Sequence, residues 1–309
     1  SGVIGFVDRK NDPHNQDNNK RTIANAAAIV QNGDVRGIYH KSFLPNYSVF
    51  DEARYFSKGT EPNTLFWYDD IAIGINICED IWIEDGPAEE QVKQGASLII
   101  NINASPYDIH KSETRKEIVM KKALKLNVPI IYLNMVGGQD ELVFDGGSFV
   151  VNDLGEIIYQ ASSFKEEVFH LDIDLKTNKQ NDKSPLIIRP KTIELKDVES
   201  KASLSKNESI YSALKLGLKD YVRKNKFTKV LIGISGGIDS ALTAAICVDA
   251  LGAENVIGVA MPSKYNSKDS LDDAIKLSDN LGITLKTIEI EKLVDDFRET
   301  LTNSLNEDL

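Results

Sequence analysis

Apolar residues in the first part of the chain fall in short, dense runs rather than in helical stripes. Ile71-Ala72-Ile73-Gly74-Ile75-Asn76-Ile77, Ser97-Leu98-Ile99-Ile100-Asn101-Ile102, Ile130-Ile131-Tyr132-Leu133 and Ser148-Phe149-Val150-Val151 are each bounded by Gly, Asn, Asp or Pro, the punctuation of buried strands. Between the second and third runs, Ile118, Val119, Ala123 and Leu126 recur at helical spacing within residues 113–127, and Pro129 marks the end of that helix. Asn32-Gly33-Asp34 predicts a hairpin joining residues 26–30 to 35–39. Ser1 to Val7 reads as an apolar strand, as though the chain enters partway into a sheet. The pattern predicts an α/β domain over residues 1–175, with helices packed outside its sheet.

Residues 176–206 change character. Lys, Ser, Asn and Asp dominate apart from Leu186-Ile187-Ile188, so the segment is read as a connection between domains. Asn207 is placed as the N-cap of a helix running to about Lys226. Strands at 229–234, 255–260 and 284–288 then alternate with helices at 239–251 and 267–281. Such alternation implies a parallel, doubly wound sheet over 207–309. Three strands make a thin sheet, and the expectation is that this domain continues beyond Leu309.

Composition narrows the function classes. With 309 residues, 41% hydrophobic and 27% charged, the chain has the make-up of a globular protein of two domains. It holds no apolar run of about eighteen residues, so no membrane span is expected. Net charge is −11 with basic residues scattered, which argues against nucleic acid as a partner. Two distant cysteines and no secretory pattern at Ser1–Val7 point to a reducing cytoplasm.

Two places carry chemistry. Gly233-Ile234-Ser235-Gly236-Gly237-Ile238-Asp239-Ser240 lies between an expected strand and the start of a helix. Glycines there let backbone N–H groups approach a phosphate, and the helix N-terminus adds positive potential. The hydroxyls of Ser235 and Ser240 can donate to the same oxygens. A carboxylate beside phosphate repels it unless a cation intervenes, so Asp239 implies Mg²⁺. The loop is neither a Walker A motif nor G-x-G-x-x-G. The bland reading is a Gly-rich turn with Asp239 capping the helix dipole. The second place is Cys78, which follows the Ile71–Ile77 run and is expected to be held rigidly yet exposed at the sheet edge. A lysine close to it would lower the thiol pKa and neutralise an oxyanion, and Lys41 is the candidate. Packing in the core is the alternative for a lone cysteine.

The Ser-Gly-Gly-x-Asp-Ser pattern resembles the pyrophosphate loop of the N-type ATP-pyrophosphatase superfamily. His40-Lys41-Ser42-Phe43-Leu44-Pro45-Asn46-Tyr47, the Phe50-Asp51-Glu52 segment, Ile75-Asn76-Ile77-Cys78-Glu79-Asp80-Ile81-Trp82 and Asn103-Ala104-Ser105-Pro106-Tyr107 resemble the nitrilase superfamily. Within it they are most similar to the glutaminase domain of NAD synthetases. The resemblance implies a nitrilase-like α-β-β-α layered domain followed by part of a doubly wound, parallel-sheet (adenine nucleotide alpha hydrolase-like) domain. It further implies Cys78 as nucleophile, Lys41 as the triad lysine, Glu52 as a supporting carboxylate, and Tyr47, Ser105 and Lys111 as glutamine-binding positions. Glutamine, ATP and deamido-NAD are the implied substrates, with Mg²⁺, a homo-oligomer and an internal ammonia path. The family's general-base glutamate lies upstream of the lysine motif, and no glutamate precedes Glu52. The chain is therefore read as a fragment of a longer enzyme. A glutamine-fed ligase with another carboxylate acceptor, or an inert oligomerisation or nucleotide-binding module, are the competing readings.

Other residues are given no role. His14, His40, His110 and His170 lack metal-ligand spacing, and Cys247 sits in an apolar helical stretch. Asp69-Asp70 and Glu89-Glu90 are read as solvated turns or helix starts, and Asp295-Asp296 as part of a charged helix. Whether Met261-Pro262-Ser263-Lys264-Tyr265 faces a nucleotide is left open.

Overall fold

The computed structural model describes residues 2–9, 23–60, 65–68, 71–173, 175, 200–263 and 268–305. His14, Asp69, Asp70, Leu186-Ile187-Ile188, Lys264, Tyr265 and most of the connecting segment lie outside the described residues. Tertiary contacts divide the chain into two units, one comprising Ser1–Val136 and Phe144–Ser205, the other Gly137–Val143 and Lys206–Leu309.

The first unit begins with β1 (Gly2–Arg9), β2 (Ile23–Gln31) and β3 (Asp34–His40), an antiparallel sheet in that order. Asn32 and Gly33 make the β2–β3 turn with φ of 51° and 87°, the left-handed pair that a two-residue hairpin loop requires. A short helix α1 (Glu52–Tyr55) and β4 (Leu65–Tyr68) follow. Next come β5 (Ile71–Ile77), α2 (Pro87–Lys93), β6 (Leu98–Asn103), α3 (Lys111–Leu126) and β7 (Ile130–Asn134). β5, β6 and β7 pair in parallel, which explains their nearly unbroken apolar sequences: strands covered on both faces have no solvent side to make polar. After the hairpin β8 (Val136–Gln139) and β9 (Leu142–Asp145), the chain returns in β10 (Phe149–Val151) and β11 (Ile157–Gln160), which complete the first unit, and the larger sheet runs β11-β10-β7-β6-β5-β4.

One face of that sheet meets the helices through Ile81, Ala88, Ile99, Val119, Ala123 and Ile130. Its other face meets the small sheet through Ala27, Ile29 and Tyr39 against Phe66, Ile75, Ile77 and Cys78. Helix, sheet and sheet thus form successive layers. The carboxyl ends of β5 and β7 lead directly into Cys78 and Met135, and that of β6 reaches Ser105 after Ala104; open α/β sheets carry their sites at that edge.

The second unit contains α4 (Lys206–Lys224), β12 (Val230–Gly233), α5 (Ile238–Leu251), β13 (Val256–Ala260), α6 (Lys268–Leu281), β14 (Thr284–Thr287) and α7 (Glu291–Leu305). Its strands are parallel in the order β12-β13-β14. The core gathers Ile234, Ala244, Cys247, Val256, Ala274 and Ile283, so Cys247 packs as its apolar surroundings predict. Asn207 lies inside α4 and is not its N-cap, because the helix already begins at Lys206. The Gly137–Val143 hairpin tip groups with this unit, where the Gly138 N–H donates to Asp220 Oδ2 at 2.8 Å and Lys224 Nζ donates to the Gly138 carbonyl.

Candidate active site

Cys78 begins a single 3₁₀ turn, Cys78–Ile81, with φ of 46°. A positive φ in a non-glycine residue is a strained conformation that surrounding structure must hold. Lys41 continues from β3, its N–H bonded to the Asn25 carbonyl at 2.8 Å. Its side chain is fully buried, and Nζ lies 2.7 and 2.8 Å from the two carboxylate oxygens of Glu52. Three residues read from separate stretches of sequence, Cys78, Lys41 and Glu52, therefore share one neighbourhood. Lys41 is the strongest charge acting on the Cys78 thiol and pulls its pKa down, but burial outweighs it, with Glu52, Glu79 and Asp80 adding to the rise, and the thiol is pushed up to about 11. This corrects one sequence expectation: Cys78 is buried rather than exposed at the sheet edge. Lys41 does lower the thiol pKa as expected, but desolvation of a thiolate exceeds one lysine's attraction.

Of the three expected glutamine positions, Tyr47 lies close enough to act electrostatically with Cys78 and Glu52. Tyr47 donates its hydroxyl to Glu79 Oε2 at 2.8 Å and meets Phe50 edge-on at 5.9 Å between ring centroids. Lys111, the first residue of α3, holds Nζ 5.5 Å from the centre of the same Phe50 ring. Ser105 is buried after β6, its N–H donating to Asn134 Oδ1 at 3.0 Å and its Oγ accepting from Arg115 Nε at 3.2 Å.

In the second unit, Gly233 to Ser240 joins β12 to α5. Gly236 has φ of +83°, and a Cβ there would lie 2.3 Å from the Ser270 carbonyl oxygen, so only glycine fits. The Gly237 N–H donates to Ser235 Oγ at 3.2 Å, Ser235 Oγ and Ser240 Oγ are 3.1 Å apart, and Ser240 Oγ donates to the Gly237 carbonyl at 2.9 Å. The hydroxyls expected to face an anion thus bond within the loop. Ile238 and Asp239 open α5 and are exposed. A cavity of about 200 Å³ adjoins the loop, lined by Gly233, Ile234, Ser235, Val259, Met261 and Pro262 among others, so Met261 and Pro262 do border it.

Against this geometry, the Carbon-nitrogen hydrolase family matches residues 2–181, more than half of the chain. The chain belongs to the carbon-nitrogen hydrolase family. A second family, NAD synthase, matches residues 210–308. Among curated relatives, the glutamine-dependent NAD(+) synthetase of Aquifex aeolicus is 44% identical over 285 residues, covering 87% of this chain and 50% of that protein. The enzyme of the same name from Thermotoga maritima is 42% identical, covering 97% of this chain and 53% of that protein. The solved glutamine-dependent NAD+ synthetase of Acinetobacter baumannii, in complex with ADP, superimposes with a TM-score of 0.82 at 38% identity, over 99% of this chain and 54% of its own. The chain spans about half the length of the relatives it matches.

The carbon-nitrogen hydrolase unit also contains polar residues that sequence reasoning passed over. Arg115 is buried, donating from Nη1 to both oxygens of Asp145 at 2.7 and 2.9 Å and from Nη2 to the carbonyls of Ser105 and Pro106. It fixes the turn that carries Ser105. Asn101 donates to Asn76 Oδ1 at 2.6 Å and Asn103 to Asn101 Oδ1 at 2.7 Å, a ladder of amides across β5 and β6. Glu89 is not solvated: it is buried, 2.6 Å from Lys122 Nζ. His40 pairs with Asp8 at 2.7 Å, and no group of three or more His, Cys, Asp or Glu side chains able to hold a metal gathers among the described residues.

Proposed function

We propose that this chain carries the glutaminase centre and the nucleotide-gripping loop of an ATP- and glutamine-dependent amidation that turns deamido-NAD into NAD. What supports this most is the coexistence, in one chain, of a buried Cys78–Lys41–Glu52 centre and a glycine loop opening onto a helix N-terminus. Cys78 Sγ attacks the side-chain amide carbon of glutamine, and the Lys41 ammonium, oriented by Glu52, offsets the charge on the tetrahedral oxyanion. The C–N bond breaks, ammonia leaves, and water hydrolyses the thioester to glutamate. Tyr47, Ser105 and Lys111 hold the glutamine. A thiol raised to about 11 requires a proton acceptor, and Lys41 and Glu52 are already engaged with each other. The family's base glutamate answers that need, and no glutamate precedes Glu52 in this chain.

In the second unit, the main-chain amides of residues 233–240 and the start of α5 bind the pyrophosphate part of ATP. The Acinetobacter baumannii relative was solved with ADP, in keeping with a nucleotide at this loop. Asp239 offers a single carboxylate, which fits a Mg²⁺ that takes its other oxygens from phosphate and water. Bound there, the ion would offset charge on the departing pyrophosphate. Ammonia then displaces AMP from adenylated deamido-NAD. The same proposal takes the assembly as a homo-oligomer in the cytoplasm, where Cys78 and Cys247 stay as free thiols.

Glutamine labelled with heavy nitrogen at its side-chain amide tests the reading in the intact protein. Given ATP and deamido-NAD, the label is expected in the nicotinamide of NAD, and Cys78→Ala is expected to abolish its transfer. Label in another acceptor, or none in NAD from the unaltered protein, overturns it.

A further inference from the structure

Asp80 lies two residues beyond Cys78, is 0% exposed, and takes no part in the steps above. Its carboxylate receives four donors. Oδ1 accepts from the backbone N–H of Ser42 at 3.2 Å and of Phe43 at 2.9 Å, and Oδ2 from the Tyr39 hydroxyl at 2.8 Å and the Ile77 N–H at 3.0 Å. Tyr39, Ser42 and Phe43 flank Lys41 on both sides, and Ile77 immediately precedes Cys78. One anion therefore grips the backbone around the lysine and the backbone before the nucleophile, two stretches some 40 residues apart in sequence.

The bland explanation is local. A carboxylate at the third position of a turn commonly accepts from the N–H preceding it, as Asp80 does from Ile77. That accounts for one bond of four. The other three run to the lysine-bearing segment and add nothing to the turn itself. Burying a carboxylate is costly unless its lone pairs are filled, and here donors fill both oxygens. Burial raises Asp80 to about 6 against those hydrogen bonds, so at neutral pH it is ionised and purely an acceptor. The charged and titratable groups acting around it and the thiol include Tyr39, Lys41, Tyr47, Glu52, Cys78, Glu79 and Tyr132.

We propose that Asp80 is a positioning residue for the glutaminase centre: through the amides of Ser42, Phe43 and Ile77 it fixes the Lys41 ammonium against the Cys78 thiol, touching neither substrate nor reacting atoms. This rests on the reading of Cys78 and Lys41 given above, and it assigns the left-handed Cys78 backbone and the buried lysine to a shared anchor.

The test is Asp80→Asn in the intact protein, with Tyr39→Phe as a gentler second variant. Asparagine keeps the shape but turns an NH₂ toward one pair of donors. A displacement of about 1 Å costs on the order of 100-fold in rate, so kcat for glutamine hydrolysis is expected to fall about that much, with a much smaller change in KM. Tyr39→Phe removes one tie and leaves the anion, and is expected to cost about 5-fold, the worth of one hydrogen bond. The second measurement needs no glutamine: the pH dependence of Cys78 alkylation by iodoacetamide, followed on the Cys78 peptide. Removing the Asp80 charge alone would lower the thiol pKa, because that charge raises it; moving Lys41 away would raise it, because Lys41 lowers it. Among the charges acting on the thiol, Lys41 is the largest and Asp80 is weaker than Glu52 or Glu79, so losing the lysine's hold outweighs losing the Asp80 charge. Positioning therefore requires an upward shift in Asp80→Asn, and an upward one also in Tyr39→Phe, where the Asp80 charge stays in place. A downward or absent shift in folded protein, or unchanged kcat, overturns it. Should Asp80→Asn not fold, Tyr39→Phe decides by the same two signs. Unaltered protein that hydrolyses no glutamine sinks the glutaminase reading alone, and the alkylation shift still decides the positioning.

Discussion

Replacing Lys41 by methionine keeps the apolar stem and deletes the ammonium that holds both Glu52 oxygens. The Lys41 side chain is fully buried and that of Glu52 is 17% exposed, so the variant strands a largely desolvated carboxylate. Removing one partner of a buried pair costs roughly 3–5 kcal/mol, and the partial exposure of Glu52 places this case near the lower end, about 3 kcal/mol. Lys41→Met/Glu52→Gln leaves no unpaired charge and is expected to regain most of that stability. Activity should behave differently. Loss of an oxyanion donor costs about 10²- to 10³-fold in kcat, and the double variant cannot recover it. Urea unfolding followed by tryptophan fluorescence suits the measurement, because both tryptophans, Trp67 and Trp82, belong to the first unit. Glutamine hydrolysis is measured on the same samples. A single variant as stable as the parent, or a double variant that regains hydrolysis, would refute the reasoning.

Gly236→Ala forces a side chain into a left-handed position 2.3 Å from the Ser270 carbonyl; it should destabilise the second unit by about 2 kcal/mol and abolish the thermal protection that the proposed function expects from ATP, both read by differential scanning calorimetry. Arg115→Met leaves Asp145 buried without its bidentate partner and should cost roughly 3–5 kcal/mol, with KM for glutamine rising about tenfold as Ser105 loses its anchor. In the unaltered protein, Cys78 alkylation should climb steeply toward pH 11, since burial raises the thiol to about 11. At pH 7 the thiolate fraction is then on the order of 10⁻⁴, and a midpoint below pH 8 would contradict that electrostatic balance.

The layered sheets were legible because each buried strand had to be written almost wholly in Ile, Val, Leu and Ala, and because Asn32-Gly33 admits few backbones besides a tight hairpin. Helix spacing and Pro129 likewise bounded α3 to within two residues of its span from Lys111 to Leu126. Gly236 could be read because a strand-to-helix loop of that kind has few other uses. What sequence alone withheld is tertiary. Nothing in the spacing of Asp80, or of Arg115 and Asp145, reveals that each fills its hydrogen bonds across distant segments. Nor does anything in the sequence mark Gly137 and Gly138 as grouping with the second unit, Gly138 lying against Gly217 and Asp220. The lysine's lowering effect on the thiol could be read from a motif, whereas the depth of burial that outweighs it could not. Glu89 does sit at a helix start, as one of its two readings had it, but its burial went unread for the same reason, since its partner Lys122 lies on another helix.

The measurement closest to the centre of this reading is acid quenching of the intact protein during glutamine turnover, followed by mass analysis of the peptide containing Cys78. A γ-glutamyl group on Cys78, present with glutamine and missing from Lys41→Met quenched at the same time point, is the expected result. Steady turnover of glutamine with Cys78 unmodified at every time point, and undiminished in Cys78→Ala, would contradict it.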